Sequence, residues 1–179
     1  MLAWLGPMPD YDAALSLREA RGRDFAANGL GAGGYEESWV RFAVGPVRFA
    51  IPNTAGRVRA VRYHDLHHVV TGYATDWTGE AEIGAWEIAS GCRDLIAAWL
   101  LNLYAMQVGL WVAPRAVWRA FARGRHSRNL YAEPWSETLL DESVGARGRS
   151  PRTSPAERRA ACPTPASTSR SRTRSPTSC

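Results

Sequence analysis

The chain has no lysine; all 22 of its basic residues are arginine. Beside abundant alanine, glycine and proline this fits the codon bias of GC-rich DNA, so arginine as such marks no function. Cysteine is scarce too. Cys92, Cys162 and Cys179 are too few and too scattered for a disulfide framework, and they fit a reducing compartment. The N-terminus lacks a charged segment followed by an apolar one, and Asp10 and Asp12 precede the first arginine, Arg18. Neither a secretory signal nor a mitochondrial presequence is therefore expected, and a cytoplasmic protein of bacterial type is. The glycine-rich stretch from Gly29 to Gly34 lacks the strand, lysine and helix of a phosphate loop and reads as a connector.

Charge is unevenly placed. From Met1 to Gly145 there are 14 arginines against 16 acids, a net of −2, whereas Ala146 to Cys179 holds 8 arginines against Glu157 alone, a net of +7. The overall +5 thus belongs to the last residues, and no nucleic-acid partner is expected for the rest. The segment 146–179 also lacks Leu, Ile, Val, Met and aromatics, and half of it is Ser, Thr or Pro. It cannot bury enough apolar surface to offset its ordering entropy, so a disordered tail or an out-of-frame reading is expected there. Residues 1–145 form the expected domain: a mostly α-helical single-domain bundle.

Helices are expected over Pro9 to Asn28, capped by Asp10 or Asp12 and stopped by Gly29, and over Arg57 to Val70, closed by Gly72. Tyr35 to Ile51 reads as a short helix followed by an irregular or extended segment. A further helix is expected from Thr78 to about Val112, capped by Thr75, Asp76 or Thr78, with a bend or break inside. Pro114 to Arg123 and a short segment within Tyr131 to Val144 complete the set. Leu95 to Ala113 is free of charge, the length of a membrane span, but Asn102 and Gln107 interrupt it. A buried core helix or the apolar wall of a lipid cavity is the preferred reading. Arg115, Arg119 and Arg123 then share one helix face beside Trp111, Val117, Trp118 and Phe121, a pattern suited to an anionic membrane surface or to ordinary packing.

Three of the four histidines fall within five residues: His64, His67 and His68. His64 and His68 are one helical turn apart, on one face, which places two imidazoles on one ion as in zinc-binding helices. Asp65 is rotated about 100° from His64 and can be a ligand or a base acting on bound water. A chain reversal at Gly72 brings Glu80, in the first turn of the next helix, opposite the histidines. The expected metal site is therefore His64, Asp65, His68 and Glu80, between two consecutive helices. Two histidines with carboxylates suit zinc foremost, with iron, manganese or magnesium as alternatives. His67 reads as a neighbour rather than a ligand, and a solvated, histidine-rich surface helix is the plain alternative to any site. Glu80, Glu87 and Asp94 recur every seven residues, either as a polar cavity wall or as a solvated stripe.

His64-Asp65-Leu66-His67-His68, eleven residues, then Glu80 resembles the hallmark of the coenzyme Q biosynthesis protein 4 family, as do Gly72, Thr75, Gly79 and Glu87 around it. The likeness is dense across residues 60–91 and thinner outside. It implies an all-α metal-binding protein of ubiquinone biosynthesis, peripheral on a membrane, that binds a prenylated quinone precursor or other isoprenoid lipid. Other quinone-biosynthesis enzymes are implied partners, and a homo-oligomer is open. Two roles follow: oxidative decarboxylation at ring carbon one, with Asp65 handling a proton, or a non-catalytic lipid-binding scaffold. The arginine-rich and serine-rich end departs from the family pattern.

Overall fold

The computed structural model describes residues 11–147 except 30, 32, 45 and 46, and excepting the side chains of 42–44, 47 and 49. The expected tail beyond Arg147 lies outside the described residues. Six α-helices, one 3-10 turn and one two-stranded sheet make up the described chain, which is mostly helical. Helix α1 covers Leu17–Asn28, and its start is set by Ser16, whose hydroxyl accepts from the Glu19 N–H while Glu19 answers the Ser16 backbone. This capping box, which satisfies two orphan donors at once, displaces the expected cap at Asp12; Pro9 and Asp10, the other expected start, lie outside the described residues. Asp12 instead accepts from the Ala14 N–H at 2.9 Å.

Strands β1 (Trp39–Val44) and β2 (Val47–Pro52) pair antiparallel with Val44 opposite Val47. The helix expected in this stretch is therefore a hairpin, consistent with its run of valines and aromatics, which fit a pleated surface better than a helix. Asn53 ties the preceding loop down by donating to the Glu37 and Gly34 carbonyls at 2.8 and 3.1 Å.

Helix α2 (Ala55–Thr71) starts at a Thr54 cap and ends at Gly72, which takes the left-handed conformation (φ 70°) that glycine adopts without steric cost. Four residues later Asp76 caps α3 (Trp77–Ser90), accepting from the Gly79 N–H at 2.7 Å. The long helix expected from Thr78 is broken between Gly91 and Leu95, where Gly91 and Arg93 both have positive φ, and it resumes as α4 (Ile96–Val112). Helix α5 (Pro114–Gly124) follows after one residue, with proline in its first turn, where a missing N–H costs nothing. The 3-10 turn Leu130–Ala132 and helix α6 (Glu137–Asp141) then return the chain to α1. Backbone bonds from Leu17 to Glu142 and from Val144 to Leu15, both 2.8 Å, seal that return. Arg18 reinforces it by pairing with Glu137 and Asp141.

Two apolar clusters result. One joins Leu17, Tyr63, Leu66, Val69, Leu130 and Leu140, bringing together α1, α2 and the return segment. The other joins Ile83, Trp86, Val117 and Ala120, between α3 and α5. Helix α4 is not the buried core helix expected from its composition. It buries Ala98, Asn102 and Gly109, while Ile96, Leu100, Tyr104 and Trp111 are 62–83% exposed. No helix among the described residues is long and apolar enough to cross a membrane.

Gly79 holds α3 against the loop before it. A Cβ there would lie 2.0 Å from the Ala74 carbonyl oxygen, a backbone atom that cannot swing aside. Gly79→Ala is expected to lower stability by at least about 1–3 kcal/mol, read as a drop in Tm by circular dichroism. Gly56→Ala, where a Cβ meets nothing within 4 Å, serves as the reference. Equal melting temperatures for the two variants would show that the close approach at Gly79 carries no load.

Candidate metal centre

His64, His67 and His68 lie in the second half of α2, and Glu80 and Glu87 lie one and three turns into α3. The helical rise places His64 and His68 on one face, and their Nε2 atoms approach to 3.2 Å. Glu80 closes the triangle: its Oε2 is 3.3 Å from His64 Nε2 and its Oε1 is 3.3 Å from His68 Nε2. One ligand atom from each residue lies within 4.8 Å of the other two.

The protons decide what this triangle is for. His68 Nδ1 stands 3.1 Å from the Tyr73 carbonyl, which only accepts, so this nitrogen carries a hydrogen. His64 Nδ1 stands 3.0 Å from the Glu87 carboxylate and likewise donates. In the neutral rings both Nε2 atoms are then bare lone pairs aimed at one point, with a carboxylate facing them. Such an arrangement is repulsive unless a cation stands between, either a proton or a metal. A tetrahedral ion with bonds of about 2.0–2.1 Å spaces its ligands about 3.3 Å apart. The donor set and the spacing both fit zinc or a similar divalent ion.

Electrostatics match. Burial alone would lower both His64 and His68, but the charge of Glu87 on the first and of Glu80 on the second raises them above the ordinary imidazole value. Burial would likewise raise Glu80 and Glu87; the facing histidines instead hold both well below the usual carboxylate range.

Of the four residues expected as ligands, three meet. Asp65 stands outside the group: its Oδ2 accepts from the Tyr35 hydroxyl, and burial raises its pKa. Burial also pushes Tyr35 far up, with the adjacent Asp65 charge adding to it. The separation from the ligands follows from the rotation of Asp65 around α2, which turns it toward the loop ahead of the hairpin. His67 is no ligand either. It is fully buried, edge-on to Trp86 and Tyr131, with Nδ1 2.7 Å from Glu87 Oε1. Asp94, the last member of the acidic stripe, is exposed and pairs with Arg59 at 3.1 Å.

Beside the triangle lies a cavity of about 290 Å³ bounded by His64, Glu80, Arg57, Asn102 and Tyr131, with Ala60, Val61, Ala98, Leu101 and Ala105 as its apolar wall. Helix α4 therefore does supply an apolar wall, as its sequence suggested, from one side only. Arg57 was not singled out by sequence reasoning. Its Nη donates to Asn53 at 2.7 Å, while its Nε is buried with no hydrogen-bond partner. Asn102 was noticed only as an interruption in an apolar run; it donates to Glu87. Gly84, on the same face of α3 as Glu80 and Glu87, lets α4 come close: a Cβ there would meet the Asn102 carbonyl at 3.0 Å.

Comparison with protein-family models, curated proteins and solved structures gives no match.

The titration pattern sets a pH signature for the metal-free protein. His64 and His68, raised on folding, contribute stability that is full below their unfolded value of about 6.5 and lost as pH rises through their folded values. His67, lowered by burial, contributes stability that is present above about 6.5 and lost as pH falls. The depressed Glu80 and Glu87 add a further loss below about 4.3. Denaturant melts in chelator from pH 4 to 9 should therefore peak near about 6.5. Added zinc should move the peak upward, because the metal competes with protons for the same nitrogens. A metal-free optimum above about pH 8 would contradict the assignment.

Proposed function

We propose that the protein holds one divalent metal on His64, His68 and Glu80 and acts on a prenylated aromatic acid in ubiquinone-type quinone synthesis, supporting oxidative decarboxylation at ring carbon one, in which dioxygen is the external oxidant, the carboxylate leaves as carbon dioxide and a hydroxyl takes its place. The observation that carries the metal reading is the pair of bare Nε2 lone pairs, 3.2 Å apart, facing one carboxylate. Zinc is the preferred ion on the donor set. The substrate class draws on the resemblance of His64-Asp65-x-x-His68, eleven residues, Glu80 to the coenzyme Q biosynthesis protein 4 family. Two features of the cavity favour it.

Arg57 lines this otherwise mostly apolar cavity, a cation suited to a carboxylate on an apolar body. A volume of about 290 Å³ is near the lower end of small-molecule pockets. It takes an aromatic ring and the first part of a tail, and the remainder must leave the cavity. Leu101 lines the cavity and is also 40% exposed, so a tail leaving there would pass onto the apolar outer face of α4. When bound, the metal supplies Lewis-acid polarisation of a ligand oxygen. Glu80 borders both the triangle and the cavity, where its negative charge helps to hold the cation. Asp65, held by the Tyr35 hydroxyl, feels the charge of His64, His68 and Glu80.

A second reading, a non-catalytic scaffold that presents the lipid to other enzymes of the pathway or at a membrane surface, is favoured by the exposed α4 face. Trp111 there is 83% exposed and Trp118 on α5 is 72% exposed. Arg115 and Arg119 lie on the exposed face of α5, the charge sign an anionic lipid surface attracts.

Elemental analysis of the purified protein should find one metal per chain, lost in the His64→Ala, His68→Ala double variant. Incubation with a prenylated 4-hydroxybenzoate and dioxygen should release carbon dioxide and leave a ring hydroxyl in the enzyme reading, and give binding without turnover in the scaffold reading. Arg57→Ala should weaken binding of the acid by about tenfold or more while leaving the metal content unchanged. Equal wild-type affinity for the acid and for its neutral amide would remove Arg57 from that role.

A further inference from the structure

Glu87 is a carboxylate with none of its surface exposed, an expensive thing to bury unless every lone pair is used. Every one is. Oε1 faces His64 Nδ1 at 3.0 Å and His67 Nδ1 at 2.7 Å, and Oε2 accepts from the Asn102 amide and from the Tyr131 hydroxyl. A carboxylate offers about four acceptor sites, so none remains for a metal, although Glu87 sits directly behind a metal ligand. The proton on His67 is fixed independently. The Leu130 backbone N–H can only donate, and it points at His67 Nε2 from 2.9 Å. His67 Nε2 is therefore the acceptor and Nδ1 the donor, which settles the direction of the bond to Glu87. The remaining acceptor site of Glu87 then faces His64 Nδ1, leaving His64 Nε2 bare and turned toward His68 and Glu80.

Resting on the metal reading above, we propose that Glu87 is the positioning residue of the centre: it sets the tautomer and aim of His64, and it is itself held by His67, Asn102 and Tyr131. The aim of one ligand on α2 is thereby referred to α3, α4 and the turn at Leu130–Ala132. His67, adjacent to a ligand but not one, serves as the strut between that turn and the carboxylate. A purely structural Glu87 would only fill and neutralise the space, and a glutamine of the same shape would serve nearly as well. A positioning Glu87 needs its charge, because an ionised acceptor holds the imidazole N–H more strongly and raises the basicity of the opposite nitrogen.

The test uses the full chain, zinc as the probe, and two readouts. Wild type and Glu87→Gln are compared by competitive zinc titration and by the downfield imidazole N–H resonances of the zinc-loaded proteins. Glu87→Gln should bind zinc about 10–100-fold more weakly. The His64 and His67 N–H resonances should move, and the His68 resonance, held by the Tyr73 carbonyl, should stay. Tyr131→Phe keeps both the volume and the Glu87 charge while removing one donor, so it covers the case in which Glu87→Gln does not fold. It should weaken zinc by a smaller factor and still shift the His64 resonance. A folded variant of either kind that binds zinc within about twofold of wild type, with the His64 resonance unmoved, overturns the proposal. Wild-type protein that takes up no zinc fails at the metal reading instead, so the two failures are distinct.

Discussion

A single buried negative charge organises the middle of this protein. The Glu87 carboxylate is removed from water, and the donors that compensate it come from α2, α4 and the 3-10 turn near the end of the described chain. Leaving any one of them unmade would strand a polar group at a cost of about 1–3 kcal/mol or more, so the helices must meet in one arrangement. His67 sits where the two apolar clusters approach each other, edge-on to Trp86 of one and to Tyr131 of the other. The polar network thus specifies how two otherwise non-directional cores are set against each other.

The ligand triangle depends on that arrangement and on little else. Helical geometry puts His64 and His68 on one face, and Glu80 is delivered by a short connection with strict local requirements. Gly72 closes α2 in a left-handed conformation, Asp76 opens α3, and Gly79 allows the backbone of α3 to touch the Ala74 carbonyl. Each of these acts within a few residues. That locality is why the spacing from His64 to Glu80 carries so much information.

For the same reason this part of the molecule was legible in the sequence. Helix caps, the turn glycine and the one-turn spacing of the histidines are short-range facts. Residues 77–112 announced their break only indirectly; the glycine at 91 was visible, but the positive φ at Arg93 was not. Between Trp39 and Pro52 the first strand was taken for a short helix and the second for an irregular or extended segment, because the stretch is short and periodicity does not separate a strand from a helix at that length. Asp65, about 100° around the helix from His64, was read as either a ligand or a base on bound water. Its actual partner, Tyr35, is 30 residues away, and nothing local reports that. Glu87 stood open between a polar cavity wall and a solvated stripe, since its spacing from Glu80 and Asp94 fits both. The counter-signal was Asn102, a polar amide in the middle of an apolar run that had to answer something buried. Hydropathy likewise gave α4 the right apolar character and the wrong exposure, because composition says what a helix would bury, not whether a neighbour is there to cover it.

Arg57 has a consequence of its own. A guanidinium cannot give up its proton near neutrality, even where burial lowers its affinity for that proton, as it does here. An ammonium in the same spot could be neutralised by its surroundings and become a base. The cavity wall therefore presents a fixed positive pole that can select and orient an anion but cannot take part in proton traffic. Any proton moved beside this wall has to be carried by another side chain.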